Sequence, residues 1–251
     1  MRNLIKRIQK SWRYGIGRTV VAAACAHSVS ISVGICQGYS AILIPQLVVS
    51  DDFDITSEES SWLASLGAVT NPVGSVLSGL LAEYFGRRLS ILLSSIPFLI
   101  GWLCIAAANN IWCLYTGRLI TGIAAGMSTA CYTYVAEISS PEHRGIFQAL
   151  GPISASFGIL LTYTLGTFLK WNVVALISII FSIFTLVSIQ FVPESPAYLA
   201  KKDKRIEAFN SLIWFRRNNA IAQEEFDRYV ITNKGTDDSS SFKNVYFTAA
   251  T

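Results

Sequence analysis

Long stretches of this chain carry no formal charge, and short clusters of Lys, Arg, Asp and Glu separate them. Thr19 to Ser50, Ser60 to Ala82, Leu89 to Ala108, Leu119 to Ala136, Gly145 to Leu169 and Trp171 to Pro193 all lack Asp, Glu, Lys and Arg. A helix formed by any of these runs has no charged side to turn towards water, as a helix on the surface of a soluble domain must. Crossing a hydrocarbon layer about 30 Å thick takes about 20 mostly apolar residues in a helix. A helix also satisfies its own backbone hydrogen bonds where no water can. The pattern therefore predicts an all-α integral membrane fold with six transmembrane helices, at 19–49, 60–82, 89–108, 111–136, 145–169 and 171–193. The first run exceeds one perpendicular crossing, which predicts tilt or an extension past the membrane surface near Pro45. After Pro193 the apolar continuity stops. Within the charged segment that follows, Ile206, Phe209, Leu212, Ile213 and Phe215 recur near helical spacing, so short amphipathic helices are expected. Gly235 to Ser241 reads as a linker.

Charge then sets an expected orientation, because Lys and Arg beside a span resist translocation while acidic residues contribute little. Arg2, Lys6, Arg7, Lys10, Arg13 and Arg18 precede the first span, Arg87 and Arg88 follow the second, Arg144 follows the fourth, and Lys201, Lys202, Lys204 and Arg205 follow the sixth. The opposite loops hold Asp51, Asp52, Asp54, Glu58 and Glu59, then Asn109 and Asn110, then the single Lys170. Both termini are thus expected in the cytoplasm, with residues 1–18 as a tail, 19–193 as the bundle and 194–251 as a cytoplasmic helical linker. The tail lacks a compact apolar core followed by a small-residue cleavage site, so the first helix is expected to act as its own insertion signal.

The overall composition, 52% hydrophobic and 14% charged, points the same way and excludes an ordinary soluble domain. A net charge of +4, clustered at span ends, gives no basic groove for nucleic acid. Cys25, Cys36, Cys104, Cys113 and Cys131 all fall in apolar stretches without paired spacing, which implies buried thiols and neither a disulfide framework nor a metal site. No nucleophile triad, metal cluster or phosphate loop supports an enzyme, and no cofactor is implied.

Four motifs lie at the expected membrane edges. Glu83-Tyr-Phe-Gly86-Arg87-Arg88 follows the second span, Tyr115-Thr-Gly117-Arg118 opens the fourth, Tyr134-Val-Ala-Glu137-Ile-Ser-Ser-Pro141-Glu-His-Arg144-Gly145 closes it, and Pro193-Glu194-Ser195-Pro196 follows the sixth. Together they resemble the sugar porters of the major facilitator superfamily, and Gly38-Tyr39-Ser40 with Pro45-Gln46-Leu47 and Ser61-Trp62 resembles the insect trehalose and hexose facilitators. The resemblance implies the N-terminal six-helix bundle of that fold, a sugar site between two bundles at the bilayer midplane, and alternating access. It also implies residence in the plasma membrane and a second, C-terminal bundle as partner, so this chain is expected to be an incomplete half. On the cytoplasmic side it implies a latch of Glu83, Arg87, Arg88, Glu137, Arg144 and Glu194, in which carboxylate–guanidinium bridges hold one state and break in another.

Departures from the family pattern limit what carries over. Tyr132 stands where the fourth-helix motif has proline, and Ala197 where an arginine is usual. Pro152 occupies about the place of a sugar-binding glutamine of glucose carriers, so glucose specificity is not implied. Proton-coupled relatives carry aspartate at the position of Ser40; without it a proton has no evident seat, which favours facilitated diffusion over symport. Candidate substrate contacts are Gln37, Tyr39 and Ser40 on the first helix, and Ser156 and Tyr163, seven residues apart on one face of the fifth. Arg118, a charge inside a span, is expected to serve structure, and His27 to hydrogen-bond a neighbouring helix. The four-residue glycine spacings Gly34/Gly38 and Gly122/Gly126 suggest close packing within the bundle rather than a dimer interface. A non-transporting sugar sensor or regulatory half is the alternative from another class.

Overall fold

The computed structural model describes residues 16–49, 55–227 and 229, and all regular structure among them is helical. The helices are α1 (Ile16–Val49), α2 (Ser57–Tyr84), α3 (Arg87–Ala106), α4 (Ile111–Met127), α5 (Ala130–Ile138), α6 (Arg144–Phe168), α7 (Trp171–Ser188), α8 (Pro196–Lys201) and α9 (Arg205–Arg216). A single 3-10 turn, Ile189–Phe191, extends α7. With α4 and α5 counted together, the described residues hold six helices long and apolar enough to cross a membrane, as the charge-free runs predicted. The predicted linker at Gly235 to Ser241 lies outside the described residues.

Local chemistry explains where these helices begin and stop. At the start of α2, Thr56 Oγ1 accepts from the Glu59 amide at 3.2 Å while the Glu59 carboxylate accepts from the Thr56 amide at 2.9 Å, a reciprocal cap for two otherwise unpaired donors. Gly86, at φ 102°, makes the turn into α3 in a conformation that a Cβ would oppose. Asn110 caps α4 by accepting from the Cys113 amide at 2.9 Å. Pro45, Pro72, Pro97 and Pro152 all lie inside helices, where neighbouring helices make such breaks in the backbone ladder tolerable. The 34-residue α1 is one continuous helix, about 50 Å long at 1.5 Å per residue, and so exceeds the hydrocarbon thickness.

The fourth span differs from its simple reading. It is interrupted at Ser128–Thr129, with no proline in the broken turn. Side chains sustain the break instead. Ser128 Oγ donates to the Ala125 carbonyl at 2.6 Å and Thr129 Oγ1 to the Gly126 carbonyl at 3.0 Å. The Ala130 amide, left without a helical acceptor, donates to Ser78 Oγ of α2 at 3.1 Å.

The described residues fall into two compact units, one within 20–193 and the other formed by 16–19 with 194–227. In the larger unit, two helix pairs meet backbone to backbone. On α1 and α6, a Cβ at Gly34 would lie 1.9 Å from the Ala155 carbonyl oxygen, and one at Gly158 would lie 2.3 Å from that of Ile31. On α2 and α4, a Cβ at Gly126 would lie 2.0 Å from the Asn71 carbonyl, and one at Gly74 2.0 Å from that of Ile123. Small residues permit this approach, and dispersion between the apposed backbones stands in for the hydrophobic effect that lipid removes. The glycine spacing therefore serves packing within the bundle. α3 packs against α4 and α7. The first–fifth and fourth–second pairs exchange when helices one to three are swapped for helices four to six, an internal symmetry of triplets.

The smaller unit has its own core of Tyr198, Leu199 and Ala208, with Ala200 and Phe226 packed against it. Ser195 caps α8, and Pro196 takes its first position, where no amide is missed. Residues 219–227 are helical and return to α9: Glu225 accepts two bonds from the Arg216 guanidinium, at 2.7 and 2.9 Å, and Phe226 stands edge-on to Phe209. Arg18 donates to the Trp214 carbonyl at 3.1 Å and lies over the Trp214 ring.

Candidate functional site

Arg118 is the centre of polar order in the larger unit. It is 2% exposed, and its guanidinium reaches from α4 to two other helices. Nε donates to the Leu63 carbonyl of α2 at 3.3 Å, one terminal nitrogen to the Cys36 carbonyl of α1 at 3.0 Å, and the other to Ser40 Oγ. Gly67 leaves room for the group: a Cβ there would stand 3.1 Å from it. No carboxylate among the described residues pairs with this cation. Carbonyls and a hydroxyl carry its solvation instead, a role the planar fork of five donors suits well.

The substrate candidates part company around this charge. Tyr39 is fully buried; its hydroxyl donates to the Trp171 carbonyl at 2.8 Å and its ring stands edge-on to Trp102, 5.0 Å between centroids. It points into the bundle, towards α3 and α7. Ser40 is half-buried and held by Arg118. Gln37 and Ser156 are exposed, and Tyr163 is 47% exposed. The last three lie along the α1–α6 seam, where Gly38 abuts the Tyr163 ring and Gly34 abuts Ala155. The structure thus brings Gln37, Ser156 and Tyr163 to one open seam and assigns Tyr39 and Ser40 to interhelical bonds.

His27 is buried, with Nδ1 3.7 Å from Cys131 Sγ and 3.5 Å from Ser30 Oγ, and its ring stands edge-on to Tyr132. It is a contact between α1 and the fourth span. Gln46 was part of a motif but no site candidate, yet it ties three segments. Its amide donates to the carbonyls of Gly166 at 3.0 Å and Leu169 at 3.1 Å, and its oxygen accepts from the Trp171 amide at 2.6 Å. A carboxamide in an uncharged run was the available signal. Ser78, which completes the broken fourth span, gave no such signal, since α1, α2, α3 and α7 each carry several serines.

Among the latch candidates, Arg87 forms an ion pair with Glu137 at 2.8 Å and also donates to the Ala82 carbonyl at 3.0 Å. This links the start of α3 to the ends of α5 and α2. Arg88 donates to the carbonyls of Ile189 at 3.1 Å and Gln190 at 2.9 Å, which caps the end of the sixth span with positive charge where the helix dipole favours it. Tyr134 adds a bond to the Pro193 carbonyl at 2.7 Å. Glu83 lies exposed at the end of α2, and Arg144 opens α6, also exposed. Glu194, in the smaller unit, accepts from the Ser195 amide through its carboxylate and from the Ser211 hydroxyl through its carbonyl.

Six membrane-length helices in two swapped triplets, close glycine seams, a buried basic group and a charged turn at Gly86 define a class: a multi-pass transporter bundle of the major facilitator fold. Solved structures agree on the fold. The proton:xylose symporter XylE bound to 6-bromo-6-deoxy-D-glucose superimposes with a TM-score of 0.77 at 18% identity, over 90% of this chain and 55% of that one. A partially occluded, inward-open form of XylE from E. coli gives 0.72 at 20% identity, over 90% and 60%.

The family model described as "Sugar (and other) transporter" matches residues 19–250, and the chain belongs to that family, as the N-terminal half of a major-facilitator sugar porter. The facilitated trehalose transporter Tret1 of Apis mellifera ligustica is 33% identical over 214 residues, 83% of this chain and 42% of the relative. Its counterpart in Bombyx mori is 32% identical over 232 residues, 91% and 46%. The solute carrier family 2 facilitated glucose transporter member 6 of Mus musculus is 32% identical over 210 residues, 82% and 42%. The chain spans under half the length of these curated relatives.

Proposed function

We propose that this chain forms one bundle of a facilitated sugar carrier, working by alternating access with a second six-helix bundle, and that it does no covalent chemistry. The observation that carries the mechanism is the environment of Arg118: its acceptors are two carbonyls, the Ser40 hydroxyl and the Cys36 sulfur at 3.9 Å, with no carboxylate among the described residues. A coupled proton site of the kind a carboxylate provides needs a group whose charge changes on binding, and among the described residues no carboxylate is paired with this guanidinium. Kinship with carriers named for trehalose and glucose supports a sugar as solute.

Gln37, Ser156 and Tyr163 are the proposed contacts on the open α1–α6 seam, where amide, hydroxyl and phenol suit the hydroxyls of a sugar. The Arg87–Glu137 pair, with Glu83, Arg88 and Arg144, is the proposed latch at one end of the bundle. Cytoplasmic termini and residence in the plasma membrane are proposed from the basic residues beside the spans and from the kinship with sugar carriers. The test is radiolabelled trehalose and hexose flux into proteoliposomes that hold this chain joined to a second six-helix bundle, with and without an imposed pH gradient. Facilitated diffusion predicts uptake that stops at equal concentrations and ignores the gradient. Accumulation driven by the gradient would overturn it, and sugar binding without flux would favour a sensor.

A further inference from the structure

In the smaller unit, residues 201–207 are all exposed, and they include Lys201, Lys202, Lys204 and Arg205 against Asp203 and Glu207. Among them, in the first turn of α9, Ile206 is 80% exposed, whereas Ala208, Leu212 and Phe215 of the same helix are buried. Packing within the unit thus explains the other apolar positions of α9 and leaves this one unexplained. The ion pairs of the cluster, Lys204–Glu207 at 3.3 Å and Arg205–Asp203 at 2.8 Å, join side chains that are more than half exposed. Such pairs hold their partners weakly and exchange readily for other anions. Eight residues separate Val192, just past the last apolar span, from Lys201, a reach of about 30 Å even if fully extended.

An exposed aliphatic side chain in a run of four cations and two weakly held carboxylates, tethered that close to a bilayer, matches an anionic lipid surface in charge and in polarity. We propose that the turn from α8 to α9 docks on anionic phospholipid, with Lys201, Lys202, Lys204 and Arg205 against headgroup phosphates and Ile206 in the interfacial layer. The proposal needs only that the six apolar helices span a bilayer, and it stands apart from the identity of the solute and from coupling.

The test is the rate at which an Ile206→Cys variant of the full chain reacts with a water-soluble maleimide in nanodiscs. Discs of phosphatidylcholine alone are compared with discs that also contain phosphatidylserine, and labelling of the unsubstituted protein is subtracted as background. Both leaflets of a disc are alike and both faces are open, so the outcome does not depend on orientation or on transport. Phosphatidylserine is expected to slow labelling at least five-fold at low ionic strength. High salt, or a K201Q/K202Q/K204Q/R205Q background, is expected to restore the faster rate, because the attraction is screened beyond a few ångströms in concentrated salt. Equal rates in the two lipids would overturn the proposal. So would slowing that survives both high salt and the charge variant, or slowing reproduced in neutral discs by inorganic phosphate, which would mark an ion site rather than a membrane surface.

Discussion

The third and sixth spans and the second and fifth spans solve the problem of an exposed face in different ways. Every exposed residue of α3 is Leu or Ile, and every exposed residue of α7 is Val, Leu, Ile or Phe. The exposed residues of α2 and α6 mix Ser61, Ala64, Ala68, Pro72, Pro152, Ser156, Tyr163 and Thr164 with aliphatic side chains. Yet α2 and α6 are the least buried spans of the bundle, at 17% and 22% of their most apolar windows, against 44% and 39% for α3 and the sixth span. A uniformly apolar surface suits lipid alone, since hydrocarbon offers no partner to a hydroxyl. A mixed surface suits a neighbour that can answer hydrogen bonds, such as another bundle or a hydrated solute. The teaching is that the amount of exposure does not identify a lipid face; its composition does.

That contrast can be broken most forcefully with a charge. Ile180→Arg, on the apolar face of α7, is expected to cost about 3 kcal/mol of insertion free energy near mid-span. Ser156→Arg, on the mixed face of α6, is expected to cost far less, and membrane-inserted yield of the two variants decides whether the faces really differ. Next in size comes the seam that frees those mixed faces from internal packing. Gly126→Ala would force a Cβ to 2.0 Å from the Asn71 carbonyl, so a loss of about 2 kcal/mol is expected, read as a lowered thermal midpoint in detergent. Gly79→Ala, on the same face system but with open space around the added Cβ, serves as the near-neutral control.

Arg118 sharpens the comparison from the inside. Arg118→Ala would strand acceptors on α1 and α2 and is expected to cost about 2 kcal/mol. Ser40→Asp would set a carboxylate against the guanidinium and is expected to convert pH-independent flux into flux that follows a pH gradient; unchanged pH behaviour would sink the reading of this contact. Smaller still, Thr56→Ala removes the hydroxyl half of the α2 cap, leaves the amide of residue 56 to donate to Glu59, and is expected to cost about 1 kcal/mol, visible as faster hydrogen exchange of the first turn only. Arg87→Gln breaks the pair with Glu137, whose side chains are only 16% and 18% exposed, and its readout is conformational: cysteine cross-linking across that end of the bundle should report a shifted balance of states.

Much of this architecture was legible because lipid makes the rules local. A span must be apolar along its whole length and satisfy its own backbone, so charge-free runs mark helices without knowledge of their neighbours. The same reasoning missed the interruption at Ser128–Thr129, because what sustains it, the Ser78 hydroxyl beneath the Ala130 amide, comes from another helix. It also grouped Tyr39 with Gln37 and Ser40 as candidate contacts. Adjacent residues on a helix point about 100° apart, and the azimuth of α1 in the bundle sends Tyr39 to Trp102 and Trp171 while Gln37 stays open.

Sequence by itself determined the solvent of this protein, the number of its spans and the family to which its edge motifs belong, since each follows from short-range pattern. Tertiary structure alone decided which glycines touch which backbones, that Arg118 is solvated by carbonyls and Ser40, and which polar side chains remain on an open face. Those outcomes depend on how helices are rotated and paired, and pairing is set by contacts between residues far apart in the chain, 132 positions for Tyr39 and Trp171 and 157 for Ser28 and Thr185. No local pattern encodes a helix's rotation, whereas lipid imprints its demand for an apolar surface on every turn.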